Sequence, residues 1–303
     1  MKLGRRCQLQ VEVNPKATGD GITMDAQDTL TIPPDLTIEF DITRTFQAST
    51  QTATFRILNL GLETRNLLQR DPFATGDFRA IQFRAGYEDF PLALCFNGMV
   101  QKATSFRRGT ELVTEITAYD GGLAAANGFT AKTIGSSMGI GQLIAELAKD
   151  LPRTRQDPII GTFTKSTMRG TVLFGNTWSL IVQAANDELK LATIDNNRLV
   201  TLGREEALAA PIQLIDSSTG LLGTPRRTDT SLEFSMLFEP HIILGQVLQL
   251  QSRINEVYNG TYKVAGFTHR GTISPVVSGE CITNVLLFVG VPELQIITGR
   301  SVI

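Results

Sequence analysis

Apolar and polar residues alternate over residues 36–43, where Leu36, Ile38, Phe40 and Ile42 fall on one side. A period of two is the mark of a half-buried strand. Ala53, Phe55 and Ile57 keep the same rhythm over 52–58, and strands are predicted again over 78–85, 92–104 and 112–119. Turn-forming stretches at 87–90 and 107–110 supply tight antiparallel connections. A short helix is predicted over 62–69, with Leu62, Thr64, Leu67 and Leu68 forming a one-sided face. The first 120 residues therefore read as an antiparallel sheet or barrel with one helix laid on it.

The rhythm changes near Asp120, Gly121 and Gly122. Ile140, Leu143, Ile144 and Leu147 follow i, i+3, i+4, i+7 spacing, so 136–150 is predicted helical. Ser136 or Ser137 can cap that helix, and Pro152 blocks its continuation. A second helix over 177–187 carries Trp178, Ile181, Val182 and Ala185 on one stripe. A hairpin follows, 189–194 with 199–202, turned at 195–198. From about residue 210 strand character returns. A Gly/Pro turn block at 216–225 precedes strands over 232–238, 242–250 and 262–269, punctuated by Glu239-Pro240, Gly245 and Asn259-Gly260. The reading is an α+β, β-rich chain: a β domain (1–124), a small inserted α/β domain (125–207), a second β domain (208–292) and a short tail (293–303).

Composition adds limits rather than chemistry. A chain of 303 residues, 42% hydrophobic and 19% charged, has enough apolar material for sizeable cores. Its formal net charge of -2 indicates no overall attraction to nucleic acid or an anionic membrane. Cys7, Cys95 and Cys281 are widely spaced and strand-embedded, which suits buried free thiols in a reducing compartment. No run is apolar enough for a signal peptide or a membrane span, so synthesis and folding in a cytoplasm are expected.

Candidate chemistry is sparse. Gly135-Ser136-Ser137-Met138-Gly139 matches G-x-S-x-G before a helix, so Ser137 is a candidate nucleophile, with His241 or His269 as base and Asp195 or Asp216 as third member. Against this, that hydrolase fold requires repeated parallel βα units, and serines ahead of a helix are ordinary caps. Lone histidines in separate strands suit structural roles better than metal ligation. Glu88/Asp89, Asp187/Glu188 and Glu205/Glu206 read as solvated turn charges, because glycosidase carboxylates must face each other across a cleft. Gly139-x-Gly141 lacks the remainder of a dinucleotide fingerprint. The basic pairs Arg107/Arg108 and Arg226/Arg227 lack interleaved aromatics. Neither catalytic residues nor a cofactor or metal site is expected.

Three blocks in order resemble phage tail and baseplate hub proteins, a family related to the hub part of type VI secretion spike proteins. The first is 37–45 with 53–60 and 63–66. The second is 169–175 with the Trp178 helix and the hairpin over 189–202. The third is 219–225, 240–245 and 260–264, running on to His269. The resemblance implies two tail-tube-like antiparallel β domains flanking the insert, and a structural virion protein without enzymatic activity. It further implies a homotrimer that joins a hexameric tail tube to a trimeric central spike and continues the DNA channel. Other baseplate or tail-tip proteins and the tape-measure protein are implied neighbours, DNA passes without specific binding, and no membrane insertion is implied. Compared with larger relatives the sequence reads as compact, and neither a fused spike helix nor a lysozyme-like domain is expected. The tail at 293–303, apolar at Leu294, Ile296, Ile297, Val302 and Ile303, is expected to dock on a partner or to form a last edge strand. The alternatives are a hexameric tail-tube or distal-tail ring protein, and the Ser137 hydrolase.

Overall fold

The computed structural model describes residues 4–13, 28–71, 79–167, 169–275, 279–290 and 293–297. The N-terminal unit contains β1 (Arg5–Glu12), β2 (Thr29–Thr31), β3 (Ile38–Thr45), β4 (Gln51–Leu58), α1 (Leu62–Leu68), β5 (Ala80–Tyr87), β6 (Ala93–Arg108) and β7 (Glu111–Asp120). These strands pair antiparallel in the order β3-β4-β7-β6-β5-β1-β2. Alternation dictates the burial: Ile38, Phe40 and Ile42 point inward from β3 and meet Ala53, Phe55 and Ile57 of β4. At the centre Phe55 lies 5.0 Å from Phe83 and 6.0 Å from Phe96, with tilted and edge-on rings. The helix forms as predicted, but its face is largely bare. Leu68 is buried, while Leu62 and Leu67 are 63% and 52% exposed. Seven residues give two turns, and only the last of them reaches the sheet.

The insert consists of α2 (Gly122–Asn127), β8 (Phe129–Ile134), α3 (Ile140–Ala148), β9 (Ile159–Ile160), β10 (Thr171–Asn176), α4 (Thr177–Asn186), β11 (Leu191–Asp195) and β12 (Arg198–Leu202). Leu143, Ile144 and Leu147 of α3 pack on Trp178, Ile181 and Ala185 of α4, with Ile194 and Leu199 beneath. The predicted serine cap is corrected: α3 starts after Gly139 with no side-chain cap. The Ser137 amide instead donates to Thr167 O, because this stretch pairs with the chain around Ser166. Asn176 caps α4 by accepting from the Ser179 amide at 2.9 Å. The β11–β12 turn carries Asn196 and Asn197 at φ 50° and 58°. Asparagine tolerates the left-handed region that a two-residue hairpin turn requires at both positions.

The C-terminal unit comprises β13 (Glu206–Ile215), β14 (Leu221–Arg227), β15 (Ser231–Leu237), β16 (Gln246–Leu250), β17 (Gly260–Ile273), β18 (Cys281–Phe288) and β19 (Gln295–Ile297). Its core gathers Leu232, Phe234, Met236, Leu248, Val264, Phe267, Val285 and Leu287. The strand expected over 242–250 begins only at Gln246. Ile242 and Leu244 are buried from a turn, and Gly245 at φ 84° donates its amide to Val264 O. The block at 216–225 turns only at its start, where Asp216 Oδ1 accepts from the Ser218 and Thr219 amides. Strand pairing resumes at Leu221 and is interrupted before Arg226, across Gly223 at φ 67° and Pro225, which has no N–H to offer. The described part of the C-terminal segment is an edge strand, β19 alongside β13; Val302 and Ile303 lie outside the described residues.

One strand belongs to both units. β17 pairs with β16 over Gly260–Lys263 and with β3 over Gly266–Ile273, while β18 runs along its other edge. The ladder to β18 shifts register between Val264 and Gly266, where β17 changes partners. A Cβ at Gly266 would sit 2.9 Å from Arg44 O, so glycine permits the close crossing. The result is a single 14-stranded sheet with a separate hydrophobic core on each half.

Candidate functional site

The insert is held by its hairpin turn, which enters the end of the N-terminal unit. Arg44, 2% exposed, donates to Asp195 Oδ1 at 2.8 Å, to Asn196 Oδ1 at 2.7 Å and to Cys95 O. Its guanidinium also lies 5.9 Å from the Phe267 ring, so one side chain touches all three units. Beside it Asn197 N donates to Asp120 Oδ1 at 2.8 Å, and Gln51 Nε2 donates to Thr193 Oγ1 at 2.6 Å. Burial, then the charge of Asp195, pushes the Asp120 pKa well above the usual carboxylate range, and Arg44 opposes the rise. Gly121 follows at φ 76°, and a Cβ there would meet Ile194 at 2.6 Å.

A second polar node ties the insert to the C-terminal unit. Glu206, 1% exposed, accepts from Lys190 Nζ and from the Thr162 and Gly203 amides, each at 2.7 Å. The solvated-turn reading of Glu205/Glu206 is thus corrected at Glu206. Burial alone would raise its pKa, but the Gly203 amide, Lys190 and the Thr162 amide together hold it low. Lys263 Nζ donates to Gly203 O at 2.6 Å and lies 5.0 Å from the Phe46 ring. Burial lowers its pKa to about 8.

These contacts spend the candidate catalytic groups on architecture. Asp195 is paired with Arg44. His269, read as ending a strand, sits within β17, buried, with Nδ1 2.9 Å from Thr283 Oγ1. Burial and the Arg44 charge lower its pKa to about 3, so it stays neutral. His241 is in an exposed turn beside Glu239, and Asp216 closes its own turn. Ser137, at φ 66°, borders an open cavity of about 600 Å³ with Gln142, Phe163 and Lys165, and no histidine or carboxylate lines it. Cys7 and Cys95 are free, with burial pushing their pKa values to about 12, and Cys281 is free at about 11.

The surfaces divide by chemistry. On the β8–β10 ribbon Phe129 and Phe174 form an edge-on pair at 5.1 Å, 56% and 73% exposed, with Val172 beside them at 70%. Ile254 and Val257 project from the loop before β17, whose backbone is fastened by Ser252 and Asn259. Such preformed apolar patches mark protein–protein contact. Sequence reasoning missed them, although the alternation of Val172 and Phe174 within a strand was a usable signal.

The groups brought together here are interior joints between the units and exposed apolar patches. The fold is that of phage tail proteins. It matches the 43 kDa tail protein of prophage MuSo2 from Shewanella oneidensis at TM-score 0.61 and 9% identity, over 94% of this chain and 96% of that one. A tail protein of Neisseria meningitidis MC58 matches at 0.62 and 9%, over 94% and 97%. The E. coli c3393 protein, a type VI secretion component described as similar to the T4 tail proteins gp27 and gp5, matches at 0.56 and 8%, over 84% and 73%. No curated protein sequence matches the chain. The family model described as baseplate hub gp41 covers residues 2–270, and the chain belongs to that family. It is a structural tail and baseplate component of the virion, from a family that is not enzymatic. Among the described residues no helix is long and apolar enough to cross a membrane.

Proposed function

We propose that three copies of this chain form the hub that joins a hexameric tail tube to a trimeric central spike and continues the DNA channel between them. The observation that carries this reading is the presence, in one chain, of two β units with separate cores, fused through β17. On this reading residues 1–124 and 208–292 are the tube-like domains and 125–207 the insert. Three copies then present six β units to the tube while keeping threefold symmetry toward the spike. Head-to-tail contacts close such a ring. The Phe129/Phe174 ribbon and the Ile254/Val257 loop supply apolar surface for the neighbours: tube, spike, other tail-tip proteins and the tape measure. On this reading the segment 293–303, of which Gln295–Ile297 form β19, docks on one of them. Assembly takes place in the host cytoplasm, and DNA passes without specific binding.

Two β units per chain disfavour the hexameric tube or distal-tail ring alternative, which would place twelve units around the axis. The mass of the assembled ring, with a map of the particle, decides between them. Three copies on the axis between tube and spike are expected; six copies, or a position off the axis, overturn the proposal. Ser137→Ala is expected to leave infectivity unchanged, and its loss would return the hydrolase reading.

A further inference from the structure

Inward–outward alternation survives the junction between the two units. The seven neighbouring strands β15-β18-β17-β3-β4-β7-β6 therefore share one side that faces away from both cores. A row of short polar side chains crosses it in register: Ser235, Asn284, Thr268, Thr43 and Thr52, ending at Tyr119. At the junction this side is hollowed into a trough of about 570 Å³.

On this side Arg226 lines the trough across from Glu233, and Lys102 stands across from Thr117; three further arginines are held in ion pairs. Arg270 pairs with Asp41 at 2.6 Å, Arg56 with Glu115 at 2.7 Å and Arg108 with Glu39 at 2.7 Å, each across strands. All three arginines are 40–66% exposed, so their partners are not needed to offset burial. Pairs this exposed add little stability. Unpaired, an exposed guanidinium is a ready phosphate ligand, and pairing with a carboxylate weakens that capacity. Among the described residues, exposed large apolar side chains occur on this side only at its margins, at Phe106, Leu222 and Leu237. A protein interface centres on large exposed apolar side chains, which this face carries only at its margins.

Resting on the channel reading above, we propose that this face is the wall along which DNA moves, and that Glu39, Asp41 and Glu115 keep it slippery by masking Arg108, Arg270 and Arg56. A polyanion sliding past many copies of a bare guanidinium would be retained at each one, because every phosphate contact releases counterions and adds affinity. A wall of threonine and pre-paired charge offers hydration without retention. DNA is the moving partner for which such masking matters; a protein filament gains little from it.

Two measurements test this. Purified full-length Glu39→Gln/Asp41→Asn/Glu115→Gln protein is expected to bind duplex DNA on the order of tenfold more tightly than wild type at about 50 mM salt, with affinity falling steeply as salt rises. Folded triple variant that binds no better than wild type overturns the masking. Independently, Thr54→Arg/Thr117→Arg adds two cations to the face without adding any carboxylate to pair with them. Particles carrying it are expected to release DNA on the order of tenfold more slowly at low salt, and to recover at high salt. Leu189→Arg, at a position 87% exposed and off this face, is the control. Particles of Thr54→Arg/Thr117→Arg that eject at the wild-type rate overturn the wall assignment, even if they assemble poorly. Failure of the hub reading itself is seen separately, as a wrong copy number or position in the particle map.

Discussion

Arg44→Met tests how the three units are fastened together. The substitution keeps most of the side-chain volume but removes a guanidinium that bonds Asp195 Oδ1, Asn196 Oδ1 and Cys95 O in a site only 2% exposed. Asp195, at 13% exposure, then loses its cation, and Asp120 loses the positive charge that opposes the rise in its pKa. Breaking one side of a buried pair costs about 3–5 kcal/mol. The additional hydrogen bonds overlap with that figure rather than adding to it. A loss of about 4 kcal/mol, at about 2 °C per kcal/mol for a long chain, lowers Tm by roughly 8 °C. The penalty also has a pH signature. With Arg44 gone Asp120 holds its proton to still higher pH in the folded state, so the variant loses more stability at about pH 8 than at about pH 5. Arg44→Met/Asp195→Asn removes one stranded charge and is expected to regain about half of the loss. Thermal melts followed by circular dichroism measure wild type and both variants. An Arg44→Met variant melting within about 2 °C of wild type would refute the claim that this node joins the units.

Lys263 gives a second pH dependence of known sign. Its folded pKa of about 8 lies below the ordinary 10.5, so the unfolded chain binds more protons between these values and stability rises with pH across that window. Lys263→Met is expected to abolish the rise, worth roughly 3 kcal/mol, in urea titrations at about pH 7.5 and about pH 10.5. Gly121→Ala combines a left-handed backbone with a Cβ 2.6 Å from Ile194, and is expected to destabilise by about 2–4 kcal/mol, a cost absent at the open Gly61. Phe129→Ser/Phe174→Ser is expected to change Tm by less than about 2 °C while reducing incorporation into tails, because these rings are exposed in the single chain. A large Tm drop would make the ribbon part of the core instead.

Local pattern reveals the strands whose two faces differ. Period-two alternation in β3 and β4, the helical spacing of α3 and the Asn196-Asn197 turn are all short-range signals, and each element lies where expected to within a few residues. The pairing of β3 with β17 joins positions more than 200 residues apart and leaves no trace in either segment alone. Glu206 is misread from sequence for a related reason. Its neighbour Glu205 suggests a charged turn, while the groups that bury it come from Thr162, Lys190 and Gly203. Residues 242–245 read as strand because Ile242 and Leu244 are buried, yet burial from a turn and burial from a strand look alike in sequence. The apolar face of α1 is visible in the sequence, but not that it remains uncovered.

The sharing of β17 has a mechanical consequence. Eight consecutive residue pairs, from Gly266 with Thr45 to Ile273 with Ile38, tie the halves of the protomer side by side. A pull along these strands loads that ladder in shear, so its backbone hydrogen bonds resist together instead of opening one after another. A hinge between the two β units would have to break these pairs. On the proposed hub reading, the difference between six positions around an axis would be met by the differing side chains of the two units, and a thrust from tube to spike would pass through this shared ladder rather than around a linker.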